Sequence, residues 1–151
     1  AGYVTVSDDG LHFSEPKSWK WDDGADLGNY NTQQHWVQHS DALHLVYTRK
    51  GANNDHVFRH RAPLFIAEVN PADQTVIRST ERILVPEYGA RLGSFGVTQV
   101  NESETWVTVA EWMQTWSPEI VIKSDNSYGG INRVWAARVR WQKPNRDWNQ
   151  Q

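Results

Sequence analysis

Five arginines are the side chains in this sequence best suited to recognise an anion. They lie near the beginnings of predicted strands, at Arg49, Arg59, Arg61, Arg91 and Arg133. A guanidinium group binds a carboxylate through two parallel hydrogen bonds, which suits an acidic sugar. Arg59, Arg61 and Arg91 are therefore candidate substrate-binding residues, and a surface ion pair is the ordinary alternative for each.

Three further residues are candidates for acid–base or nucleophilic chemistry. Glu111 follows a hydrophobic strand and precedes Trp112, so partial burial is expected to raise its pKa. Glu87 and Tyr88 precede Arg91 and offer the components of an acid-activated tyrosine, although neighbours on a strand point to opposite faces. These residues favour glycoside hydrolysis, and ion pairing with arginine is the structural alternative for a buried acid.

Nine tryptophans offer flat rings that either pack in a core or stack on sugars. Trp112 and Trp116 flank a short loop and are the best candidates for exposed rings that stack on a carbohydrate. Trp106 and Trp135 are expected in the core. Most of the nine are predicted to be structural, since large aromatic side chains are mainly buried.

The histidines do not form a recognisable metal-binding pattern. All six fall within residues 12–60, and four of them are conceivable ligands, namely His35, His39, His56 and His60. No spacing among these four is diagnostic of a metal site. We therefore predict neither a metal nor another cofactor.

Composition excludes several classes of partner. The net charge is −3, from 15 basic and 18 acidic residues that are interspersed, so nucleic acid is a poor candidate. No apolar stretch approaches the roughly 20 residues that span a membrane. Disulfides are excluded because the chain has no cysteine, and this leaves the cellular compartment open. The opening residues Ala-Gly-Tyr-Val show no signal peptide and suggest a fragment or a processed chain.

The elements that must position these residues are predicted to be strands. About ten short segments alternate between apolar and polar residues, and no run of ten shows helical periodicity. A loop followed by a hairpin occurs over residues 24–49 and again over residues 87–112, which is close to the period of a propeller blade. We predict one all-β domain over residues 1–141 and a polar tail over residues 142–151, which is frayed unless Trp148 docks.

Residues 7–13, Ser-Asp-Asp-Gly-Leu-His-Phe, predict a tight turn between two strands. Asp8 or Asp9 can accept hydrogen bonds from the backbone of the turn, and Gly10 can adopt a positive φ. Phe13 is expected to hold the turn against the structure beneath it. The turn is therefore predicted to be structural.

The pattern Asp-x-Gly-x-x-Phe over residues 8–13 resembles the Asp-box (BNR) hairpin of sialidase-type β-propellers. His12 stands where Thr is usual in that hairpin, and Val6 where Ser is usual. Residues 32–49, 58–65 and 89–98 also resemble sialidase-like BNR proteins. Arg61 begins an Arg-Ala-Pro sequence that is similar to the Arg-Ile-Pro motif of sialidases, whose arginine faces the centre of the active site.

This resemblance implies the C-terminal portion of a propeller, with about two and a half to three blades of antiparallel sheet. A closed propeller needs at least four blades, so unpaired edges must be satisfied by identical chains, by further chain or by another fold, such as a β-sandwich. We favour a homo-oligomer that completes the ring.

The function implied by the resemblance is contact with a carbohydrate, as in sialidase-like exo-glycosidases. In that interpretation Arg61 and Arg91 hold an anionic group and Glu111 moves a proton. Two alternatives remain: a non-catalytic glycan-binding module and a self-assembling β module without activity.

Overall fold

The computed structural model describes residues 1–29, 32–113 and 128–148, which are all-β and contain no α-helix. Ten strands form three antiparallel sheets, and none of the sheets closes on itself. Within these ranges no helix is long and apolar enough to cross a membrane. The predicted all-β class is confirmed.

The strands follow the chain from one sheet to the next. The first sheet pairs β1 (Tyr3–Val4) with β2 (Lys17–Ser18). The middle sheet contains β3 (His35–His39), β4 (Ala42–Tyr47), β5 (Leu64–Asn70), β6 (Thr75–Val76) and β7 (Arg82–Val85). The third sheet contains β8 (Phe95–Asn101), β9 (Glu104–Ala110) and β10 (Val134–Arg140), in the order β10-β9-β8.

The turn between β1 and β2 is held by its own polar groups. Asp9 Oδ1 accepts 2.8 Å hydrogen bonds from the backbone N–H groups of Leu11 and His12, and Oδ2 lies 2.7 Å from the His12 ring. The His12 side chain and then these backbone donors lower the pKa of Asp9. Phe13 is 61% exposed, so the prediction that its ring holds the turn against the body is wrong. The turn is held by hydrogen bonds among its own residues, and the Phe13 ring lies exposed to solvent.

The middle sheet is buried on both faces because β4 and β5 carry apolar residues at successive positions. Leu45 and Tyr47 point into a core shared with Trp19, from the segment after β2. Val46 points to the opposite face and into a second core shared with Val107 of β9. Alternate side chains of a strand point to opposite faces, so one strand serves both cores. The two cores tie all three sheets together.

The third sheet buries one face only. In β9 the side chains alternate, with Thr105, Val107 and Val109 buried and the residues between them exposed. Trp106 falls on the outer face and is 37% exposed, so its predicted place in the core is wrong. Its indole N–H bonds to the carboxylate of Glu104 instead. Trp135 is half-buried and packs against the core, as predicted.

The segment after β10 is docked rather than frayed. Asn145 is only 2% exposed and bonds to two β-turns. Its Oδ1 accepts from Ser40 N–H at 2.8 Å, its side-chain amide donates to the Gln38 carbonyl at 3.0 Å, and its own N–H donates to the Glu102 carbonyl. The predicted frayed tail is therefore wrong for residues 142–148, which belong to the domain.

Replacing Asn145 with alanine should lower the free energy of unfolding by about 2 kcal/mol, because buried backbone groups lose their partners. Urea denaturation measures the change, and Gln142→Ala, an exposed neighbour, serves as the control. A loss below about 0.5 kcal/mol, the range of ordinary surface substitutions, would contradict this account of the tail.

Candidate functional site

The candidate site lies where two loops run side by side, residues 54–61 and residues 86–93. We call this contact the loop seam. His56 bonds to Glu87, and the Phe58 ring lies 5.2 Å from the guanidinium carbon of Arg91. The backbone N–H of Leu92 donates to the carbonyl of Arg61. The seam therefore brings together residues that are about 30 positions apart in sequence.

The first loop holds an uncommon backbone conformation. Asn54, fully buried, donates hydrogen bonds to the carbonyls of Arg49 (2.9 Å) and Ala62 (2.6 Å) and so fixes both ends of the loop. Between them Arg59 and His60 have φ values of 55° and 52°, in the left-handed region. This conformation costs roughly 1–2 kcal/mol for a residue with a Cβ, and such strain is concentrated at functional sites.

Arg91 is buried between two aromatic rings. It is 3% exposed and its guanidinium carbon lies 4.0 Å from the centroid of Trp112, with Phe58 as the second ring. The backbones of Arg91 and Trp112 exchange two hydrogen bonds, of 3.2 and 2.9 Å. Trp112 is thus half-buried against a cation, and its role as a sugar-stacking ring stays a prediction. Cation–π contact fixes the position of the charge.

Arg61 reaches the seam because position 93 has no side chain. A Cβ at Gly93 would lie 2.7 Å from Cδ of Arg61 and 2.7 Å from Oγ1 of Thr32. The Thr32 hydroxyl donates a 3.0 Å hydrogen bond to the Gly93 carbonyl. The close approach of this glycine therefore sets the path of the Arg61 side chain.

Arg59, Arg61 and Arg91 are close enough to influence one another, and we call these three residues the arginine site. Burial and then the charge of Arg59 lower the pKa of Arg61. Burial, followed by Arg61 and Arg59, lowers the pKa of Arg91. The guanidinium carbon of Arg59 lies 5.1 Å from the centroid of the Phe58 ring, which Arg91 also contacts. Gathering like charges in one place costs free energy.

Glu111 is a structural anchor in this arrangement. Its Oε2 accepts from the backbone N–H groups of Ile131 (2.9 Å) and Arg133 (3.0 Å). Its Oε1 accepts from the Trp135 indole (3.1 Å) and the Arg133 guanidinium (3.3 Å). Burial raises the pKa of Glu111, but these donors together outweigh burial and leave the pKa lowered. The predicted raised pKa is wrong, because the donors come from residues more than 20 positions away.

Glu87 and Tyr88 have different partners. Tyr88 stacks parallel to Trp135, with ring centroids 5.9 Å apart, and the Arg133 guanidinium lies 4.9 Å from its ring. Glu87 bonds to His56 across the loop seam. The two side chains therefore point in different directions, as expected for neighbours in extended chain.

The remaining predicted residues are distributed elsewhere. Trp116 lies outside the described residues. Among the histidines, His35 packs against Phe95 and His39 against Trp141, while His60 pairs with Asp55. Within the described part of the chain, no three His, Asp or Glu side chains are grouped to hold a metal ion.

The pair of His56 and Glu87 was not foreseen as a pair. The sequence offered His56 only as a conceivable metal ligand and Glu87 only as a partner for Tyr88. The two residues are 31 positions apart, and no local pattern connects them.

Comparisons with protein-family models, with curated proteins and with solved structures found no match for this chain.

Proposed function

We propose that this chain binds an acidic carbohydrate at the arginine site, in the manner of a sialidase-like propeller protein. The observation that carries the proposal is the gathering of three arginines on the loop seam. The guanidinium carbons of Arg59 and Arg91 lie 5.1 and 5.2 Å from the Phe58 ring, Arg61 bonds to the residue after Arg91, and Arg91 is buried against Trp112. Guanidinium groups in fixed positions suit a planar carboxylate.

The proposed architecture is a partial propeller of about two and a half to three blades. Strands β3, β4, β5 and β7 form consecutive antiparallel pairs in the middle sheet, as the strands of a blade do. The first sheet would be the outer part of a preceding blade, and the third sheet an incomplete following blade. Among the described strands β10 pairs with β9 alone, so a second copy or further chain would complete the ring.

The lowered pKa of Glu111 favours binding without hydrolysis. A hydrolase of the predicted kind needs a proton donor, and the lowered pKa of Glu111 opposes that role. A glycan-binding function requires only the arginine site and a sugar with a carboxylate. Recognition of a sugar acid therefore does not require Glu111 to act as an acid.

A comparison of a sugar acid with its methyl ester tests the proposal directly. Calorimetric titration with glucuronic acid and N-acetylneuraminic acid should give affinities about 10–100-fold higher than titration with their methyl esters. This range follows from roughly 1.5–3 kcal/mol for hydrogen bonds to a charged group. Equal affinity for acid and ester, or no binding of either acid, would contradict the proposal.

Replacing Gly93 with alanine should weaken binding of the sugar acid about tenfold while the protein stays folded. The new Cβ would displace the flexible Arg61 side chain and the Thr32 hydroxyl, and both can rotate away at little cost to stability. The matched control is Gly96→Ala, whose Cβ would meet only Thr108 Oγ1 at 3.7 Å. Calorimetry measures the affinity, and thermal unfolding checks the fold. Unchanged affinity in Gly93→Ala would place the ligand away from Arg61.

A further inference from the structure

An oriented histidine lies on the same loop seam as the arginine site. Nε2 of His56 lies 2.9 Å from Oε2 of Glu87, and the same oxygen accepts a 2.8 Å hydrogen bond from the Gly89 N–H. A carboxylate partner at Nε2 selects the tautomer with its proton on Nε2. The other ring nitrogen, Nδ1, is then the one that can accept a proton.

The ring of His56 is held from a second direction by Tyr128. The two rings stack with centroids 4.1 Å apart and planes 17° apart. Tyr128 in turn packs over Gly89, where a Cβ would lie 2.9 Å from the Tyr128 Cβ, and the φ of Gly89 is +78°. Tyr128 is 51% exposed, so this arrangement faces solvent while the His56 ring is fixed.

The order of contacts along the seam places this pair beside the arginine site. Positions 56, 58 and 61 of the first loop meet positions 87, 91 and 92 of the second loop in that order. Phe58, only two residues after His56, is one of the two rings that contact the Arg91 guanidinium. His56 and the arginine site therefore lie on the same seam, so a sugar whose carboxylate is held by the arginines could extend along it towards His56.

We propose that His56 is a general base that removes the proton from the carbon next to the carboxylate of a uronic-acid sugar, with Glu87 as its positioning residue. This inference rests on the proposed function, because the arginine site must first hold the carboxylate. It also selects the substrate class. A uronic acid carries a hydrogen on the carbon that bears its carboxylate, whereas the corresponding carbon of a sialic acid carries none.

The reaction is a β-elimination within the bound oligosaccharide. The C5–H bond breaks and its proton passes to Nδ1 of His56. The electron pair of that bond forms a C4=C5 double bond while the C4–O bond to the neighbouring sugar breaks. The leaving oxygen keeps the electron pair of the C4–O bond and takes a proton from solvent, and His56 later returns its proton to water. Arg61 and Arg91 stabilise the negative charge that develops on the carboxylate.

The test uses oligosaccharides of glucuronate and of galacturonate with the chain as it stands. Elimination creates a conjugated double bond that absorbs ultraviolet light, and the product is lighter by one water than the product of hydrolysis. We expect unsaturated products from one or both substrates. His56→Asn should reduce the rate at least about 100-fold, the usual contribution of a general base, with the dissociation constant unchanged.

Two further variants separate positioning from folding. Glu87→Gln should lower kcat and leave KM unchanged, since it alters the orientation and tautomer of His56 and not the arginine site. His12→Asn is the matched control, because His12 also pairs with a carboxylate, that of Asp9, in the hairpin between β1 and β2. Its rate should equal that of the wild-type chain.

The outcomes distinguish the two proposals. Binding of the oligosaccharide without unsaturated product, a hydrolysed product, or full activity in His56→Asn overturns the assignment of His56 and leaves the proposed binding function standing. Failure of the wild-type chain to bind either uronate overturns the elimination, and failure with every sugar acid overturns the binding function as well.

Discussion

Replacing Glu111 with alanine is expected to lower the free energy of unfolding by about 3–5 kcal/mol, the usual cost of breaking a buried charge pair. The substitution removes the acceptor for two backbone N–H groups, the Trp135 indole and the Arg133 guanidinium. Because these donors lie in residues 131–135, the start of β10 loses its attachment to β9. Urea denaturation measures the change.

Glu104→Ala is the matched control for this prediction. Glu104 also pairs with an arginine, namely Arg138 of β10, but Arg138 is exposed. Exposed ion pairs contribute about 0–1 kcal/mol. A similar loss in the two variants would contradict the anchoring role of Glu111.

The same carboxylate predicts a dependence of stability on pH. The folded pKa of Glu111 lies below its ordinary value of 4.5, so its contribution is fully present above pH 4.5. The contribution is lost as the pH falls from 4.5 through the folded pKa. The difference in unfolding free energy between the wild-type chain and Glu111→Gln should therefore shrink as the pH is lowered below 4.5.

Replacing Arg61 with alanine should weaken binding of a sugar acid about 10–100-fold, as expected for loss of charge-assisted hydrogen bonds. Arg61→Lys should recover only part of the affinity, because an ammonium group cannot form the two parallel bonds of a guanidinium. Arg82→Ala is the control, since Arg82 is exposed and, within the described residues, bonds to the nearby carbonyls of Ser79 and Glu81. Calorimetry gives the affinities.

Arg91→Ala provides the second arm of this prediction. If both guanidinium groups contact one carboxylate, the losses in Arg61→Ala and Arg91→Ala should not add in the double variant. Losses that add fully, or equal losses in Arg61→Ala and Arg82→Ala, would contradict a single site.

Local patterns predicted much of the fold, because strands and turns depend on neighbouring residues. The alternation in β9 follows from its apolar residues at every second position, and the acidic turn follows from Asp-Asp-Gly. Trp106 was misplaced because its size suggested burial, whereas the register of β9 puts it on the outer face. Asn145 was missed because its burial depends on backbone groups about 40 and 100 residues away.

The site was predicted only in part, for a related reason. Residue type and family resemblance selected Arg59, Arg61 and Arg91, and the structure brings these three together. The burial of Glu111 was also anticipated, but its pKa depends on donors that no local pattern reveals. The left-handed backbone at Arg59 and His60 has no signature in sequence, since residues with a Cβ rarely adopt it.

The central claim is that Arg59, Arg61 and Arg91 form one site for the carboxylate of a sugar. Nuclear magnetic resonance of the arginine Nε–Hε groups, recorded during titration with glucuronic acid, tests it most directly. The signals of Arg61 and Arg91 should shift together with one dissociation constant, while that of Arg138 on the third sheet stays in place. Shifts confined to other arginines, or equal shifts with the methyl ester, would contradict it.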